Sequence, residues 1–70
     1  MAMEKELKYR NFYIKVFKST EGYEDYYVKA TRQDGSLIHD FDIDDVELFD
    51  TMEEAIEWGK EIVDSFINGD

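Results

Sequence analysis

Residues Asp40–Asp64 read DFDIDDVELFDTMEEAIEWGKEIVD, and the second half of this stretch decides the fold. Thr51-Met52-Glu53-Glu54 has the form of a capping box, in which a Thr hydroxyl and a Glu carboxylate satisfy the first free backbone donors of a helix. Glu53 and Glu54 also suit the positive end of the helix dipole. From there Met52, Ala55, Ile56, Gly59, Ile62, Val63 and Phe66 recur at the helical period, with Ile67 beside them. The spacing predicts a helix over 51–68, stopped by Gly69. Gly59 falls at the centre of the stripe, where it costs roughly 1 kcal/mol relative to Ala. That cost is explained if the helix axis lies close against a sheet. Trp58 borders the stripe and is expected to be half-buried in a packing role, with an interface anchor as the rival reading.

Upstream, Tyr9–Lys18 (YRNFYIKVFK) alternates, with Phe12, Ile14 and Val16 on one face and Tyr13, Lys15 and Phe17 on the other. A second strand is expected over 25–33, with Tyr26, Val28 and Ala30 opposed to Tyr27, Lys29 and Thr31. Ser19-Thr20-Glu21-Gly22 supplies the turn between them, Gly22 taking positive φ. Asp34-Gly35 reads as a two-residue hairpin turn of mirror type. Taken literally, it sets Arg32 opposite Leu37, Thr31 opposite Ile38, Ala30 opposite His39, Lys29 opposite Asp40 and Val28 opposite Phe41. A one-residue slip would turn Asp40 and Asp42 inward. Residues 1–8 read as a polar lead-in, 9–43 as a three-stranded meander, and 44–50 as a connection anchored by Val46, Leu48 and Phe49. That connection admits a short strand or a single helical turn. The expectation is one α+β domain over 1–70, a three-stranded antiparallel sheet (β-β-β) packed on one face by a C-terminal helix.

Seventy residues without cysteine leave a small core with no disulfide to support it. Eleven aromatic residues supply much of that core. No apolar run is long enough to span a membrane and the charged N-terminus is no secretory signal, so a soluble, cytoplasmic protein is expected. The net charge is −10, unevenly spread. Residues 1–35 hold seven basic and six acidic side chains (+1), whereas residues 36–70 hold one basic and twelve acidic (−11). This disfavours direct binding to nucleic acid or an anionic membrane and favours a protein partner with a basic surface. Simple solubilisation by charge is the plainer alternative.

Two surfaces stand out. On the helix, Glu54, Glu57, Glu61 and Asp64 follow Asp50 at spacings of three and four and form a ridge in which Lys60 is the sole cation. Asp42, Asp44, Asp45 and Glu47, with Asp40, continue it. Such a ridge is expected to imitate the spaced phosphates of a nucleic acid. The second surface is the sheet face away from the helix, where Tyr13, Phe17, Tyr27 and Ile38 would form an aromatic patch suited to a homodimer or an adaptor contact. A single-strand nucleic-acid platform is the weaker reading of that face.

No chemistry of a reaction emerges, and neither a catalytic residue, a metal site nor a cofactor site is expected. Asp40-x-Asp42-x-Asp44 begins like a calcium loop, but Asp45 and Thr51 stand where such loops need Gly and Glu. His39 is the one histidine and is expected to be a hydrogen-bonded packing residue. The carboxylates lie on outward positions, without the desolvation a general acid needs.

Phe49-Asp50-Thr51-Met52-Glu53-Glu54-Ala55, followed by Ile56, Gly59 and Ile62, resembles the closing helix of HicB-type antitoxins and of other small phage and bacterial β-β-β-α domains. That resemblance implies a three-strand-plus-helix fold and an antitoxin role as an alternative function. By size and acidity the chain is also similar to phage-encoded inhibitors of restriction and CRISPR systems, several of which mimic nucleic acid.

Overall fold

Alternation of apolar and polar side chains produces three strands, β1 (Met3–Tyr9), β2 (Phe12–Lys18) and β3 (Tyr26–Thr31), in an antiparallel sheet of order β1-β2-β3. An α-helix, α1 (Met52–Asn68), follows and packs over β2 and β3. The computed structural model describes residues 3–19 and 25–69, with Ile43 described by its backbone alone. The α+β class and the antiparallel three-strand-plus-helix architecture are as expected from the sequence. The strand positions are not.

The expected lead-in is itself a strand. Arg10 and Asn11 both take positive φ (51° and 70°), which is the mirror-type two-residue turn that matches strand twist. Tyr9 therefore faces Phe12, Leu7 faces Ile14 and Glu6 faces Lys15, with an irregularity between Met3 and Lys5. The meander is displaced by one strand toward the N-terminus, to 3–31 rather than 9–43. Charged residues at every second position disguise β1, as is common for an edge strand.

The two faces of β2 and β3 are those read from the sequence. Ile14, Val16, Val28 and Ala30 form the buried core with Ala55 and Val63 of α1. Gly59 is buried, and a Cβ there would lie 2.6 Å from Ile14 Cγ2 and 3.1 Å from Val28 Cγ2. The glycine is what lets the helix backbone sit on the sheet. At the helix start, Thr51 Oγ1 accepts the Glu54 N–H at 3.2 Å and donates to Glu54 Oε1 at 3.3 Å. At its end, Gly69 takes the left-handed conformation and its N–H bonds to the Ser65 carbonyl.

The Asp34-Gly35 reversal departs from the two-residue reading. Gly35 N–H bonds to the Arg32 carbonyl, Arg32 N–H to the Ser36 carbonyl, and Gly35 has φ +92°. This is a three-residue loop with Gly35 at the bulge position. The extra residue slips the register by one, so Thr31 bridges Leu37 and Ile38 N–H bonds to the Ala30 carbonyl. Ile38 consequently packs against the core instead of the opposite face. On that side the next positions would be Asp40 and Asp42, and burying unpaired carboxylates is prohibitive. Pairing ends there, so no third strand forms over 36–43 and Lys29 does not meet Asp40.

The connection then leaves the sheet, makes a 3-10 turn at Ile43–Asp45 and returns to β3. There Phe49 and Tyr26 exchange both backbone hydrogen bonds at 2.8 Å. A helical turn and an edge contact at Phe49 are thus both present in the segment expected to offer one or the other. The turn assigned to Ser19–Gly22 lies outside the described residues beyond Ser19, whose N–H bonds to the Asp25 carbonyl at 2.8 Å.

Candidate protein-docking surface

The helix and the returning connection lie beside each other along the β3 edge, and acidic residues of each line a hollow beside Trp58. Trp58 is 40% exposed and packs against Phe49, ring centroids 6.3 Å apart. On one side of it, a shallow groove is lined by Phe49, Glu53, Glu54, Glu57 and Glu61. On the other, a cleft of about 350 Å³ runs between β3 and the connection, lined by Val28, His39 and Phe41 together with Asp40, Asp42, Asp45 and Glu47. One aromatic side chain is therefore shared by acidic groups from two separate segments.

Most of the expected acidic residues are unencumbered. Asp42, Asp44, Asp45, Glu47, Glu54, Glu57 and Glu61 are all exposed. Asp42 also caps the 3-10 turn by accepting the Asp44 N–H at 3.0 Å. Glu57 is paired with Lys60 at 3.5 Å, an exposed i,i+3 contact of little energetic weight. Asp64 is the exception and corrects the outward ridge at its far end. Its carboxylate takes Arg10 Nη1 at 2.7 Å and the Tyr9 hydroxyl at 3.1 Å, tying α1 to the β1–β2 turn. The Asp64 carboxylate in turn raises the Arg10 guanidinium pKa.

The opposite sheet face is not the open aromatic platform expected. Tyr27 is 1% exposed, stacked on Phe17 at 5.2 Å and flanked by Phe41 at 5.6 Å. Burial pushes its phenol pKa upward. Lys29 Nζ lies over both flanking rings, 5.1 Å from Phe17 and 4.6 Å from Phe41. Tyr13 and Phe17 are half-buried, and Ile38 lies on the helix side. The four residues do not form one contact surface, because Phe41 folds over the face and the slip removes Ile38 from it.

His39 is hydrogen-bonded, as expected, but to backbone. Its Nε2 accepts the Ala30 N–H at 3.0 Å and its Nδ1 lies 2.9 Å from the Asp40 carbonyl. Since an amide can only donate, the ring proton sits on Nδ1 and is donated to Asp40. The imidazole replaces the carbonyl of the strand that failed to form. Among the described residues no three His or carboxylate groups converge as a metal site, and no helix is long and apolar enough to cross a membrane.

Phe49 and Glu53, with Val28, His39 and Phe41, line this surface without having been expected there, whereas Trp58 was expected in a packing role with an interface anchor as the rival. The signal for Trp58 was present, since Glu54 and Glu61 stand at i−4 and i+3 from it and share its side of the helix. No protein-family model, curated protein or solved structure matches the chain.

Proposed function

We propose that the chain is a non-enzymatic binding module whose acidic face docks on a basic, nucleic-acid-binding surface of another protein, acting as an inhibitor by phosphate mimicry. The observation that carries this reading is the half-exposed Trp58 set among carboxylates of both α1 and the 39–47 connection. An aromatic anchor surrounded by charge is the anatomy of an interface with an energetic centre and a steering rim. The helical rise spaces Glu54, Glu57 and Glu61 roughly 5 Å apart along the axis, a repeat that basic side chains arrayed for a phosphate backbone can meet. In the described residues just one of the seven exposed carboxylates named for this surface is held in an ion pair.

The test is a titration of the chain against nucleic-acid-binding proteins, with labelled duplex DNA as competitor. DNA and the chain should exclude one another, and affinity should fall about tenfold or more as salt is raised from about 50 to about 200 mM. Glu57→Lys combined with Glu61→Lys should abolish binding, and Trp58→Ala should weaken it at least about tenfold. Binding that ignores salt and survives the double reversal would overturn the reading.

A further inference from the structure

We infer that the chain pairs with a second copy of itself through the outer edge of β1, about a two-fold axis at Leu7. The two edges of the sheet are treated differently. That of β3 is occupied at both ends, by Phe49 on Tyr26 and by Ile38 and His39 on Ala30. That of β1 is bare. The pair Tyr9–Phe12 closes a two-residue turn, so Tyr9, Leu7 and Lys5 direct their backbone groups toward β2. Those of Glu6 and Lys8 point away from the sheet, and among the described residues they have no backbone partner.

Symmetry restricts how two such edges can meet. Antiparallel strands related by a two-fold axis keep corresponding faces on the same side, so one residue must stand opposite its own copy. Centring on Lys5, Glu6 or Lys8 puts like charges face to face, which is unfavourable. Centring on Leu7 does not. Leu7 then meets Leu7, Glu6 meets Lys8 twice, and Lys5 meets Tyr9 twice. On the helix side the row Ile14–Leu7 runs into its own copy and lengthens the apolar floor. On the other side Glu6, already 3.9 Å from Lys15 of its own chain, gains Lys8 of the second copy. Lys8 has no ion-pair partner among the described residues of the single chain.

Charges on an edge strand ordinarily discourage pairing. Here their order is self-complementary in this one symmetric register, and the irregularity of β1 lies before Lys5, outside the paired segment. The product is a continuous six-stranded sheet with both helices on one side. This assembly is independent of the docking proposed above and uses none of its residues.

Sedimentation equilibrium tests it, at protein concentrations up to about 1 mM and at about 0.15 M salt, where a Debye length of about 8 Å screens the net charge. The chain should dimerise. Lys8→Glu should weaken the dimer at least about tenfold, and adding Glu6→Lys to it should restore association to within a few-fold of the unaltered chain. Amide exchange on the unaltered chain supplies a check that needs no variant: protection at Glu6 and Lys8 should rise with concentration. A strict monomer, a dimer indifferent to Lys8→Glu, or a charge swap that fails to restore pairing would overturn the inference.

Discussion

The turn at Arg10-Asn11 contains no glycine, yet both residues hold positive φ and β1 stays paired with β2 back to Met3. Asp34-Gly35 contains the residues that hairpins favour, yet pairing beyond it ends at Ile38. The difference lies in what flanks each turn. Leu7 and Tyr9 find Ile14 and Phe12 across the ladder, so the pairs on the helix side add apolar contact while the charged positions between them stay exposed. Past Gly35 the bulge turns Asp40 and Asp42 toward the core side, and each further pair would bury a carboxylate. A turn motif specifies where the chain reverses; the residues after it decide how far the strands follow.

Five substitutions, the last of them followed through pH, break or sharpen this comparison. The largest effect belongs to Ile14→Ala, since Ile14 is fully buried where both hairpins rest on α1. It should cost about 3 kcal/mol in chemical denaturation, and amide exchange should show both hairpins losing protection together. Persistence of the β1–β2 amides alone would show that the two reversals have separate foundations. Gly35→Val places a β-branched residue at φ +92° and should cost about 1–2 kcal/mol. A neutral result there would mean that the bulge is not what sets the register. His39→Ala removes the acceptor of the Ala30 N–H and should cost about 1 kcal/mol, with faster exchange of that amide as the local readout.

Asn11→Gly acts in the other direction. Glycine meets no steric cost at φ 70°, so the β1–β2 hairpin should gain about 0.5 kcal/mol, visible as a small rise in melting temperature. The smallest effect is a pH dependence confined to the second turn. The Asp34 carboxylate accepts from the Ser36 hydroxyl and N–H, and these bonds lower its pKa. A lowered folded value means that the stabilisation is present above the ordinary carboxylate pKa and is lost as pH falls through the folded one. Asp34→Asn should therefore lower the melting temperature slightly above pH ~5 and flatten the acid limb, the two proteins converging as the pH falls.

Legibility followed the range of the forces involved. The helix, its Thr51 cap, its Gly69 stop and the approach at Gly59 were all readable, because capping and periodicity act within a few residues. The inward faces of β2 and β3 were equally plain from alternation. β1 was hidden because its charges resemble those of a disordered terminus and its turn lacks glycine. Of the candidate site, the exposed carboxylates from Asp42 to Glu61 were visible as a run of charge. Asp64 was misread because its partners, Arg10 and Tyr9, are more than fifty residues away. Tyr27 was misread because its cover, Phe41, arrives from a segment with no regular structure of its own.

By itself the sequence determined the architecture of three antiparallel strands and a helix, since periods of two and of 3.6 residues leave few ways to bury one apolar face on another. It also determined that the second half carries the negative charge. Only the tertiary structure decided which three segments are the strands, which carboxylates remain free, and that Trp58 stands among acids from two segments. Those outcomes depend on contacts between residues far apart in the chain, and a single bulged residue at Gly35 was enough to redirect them.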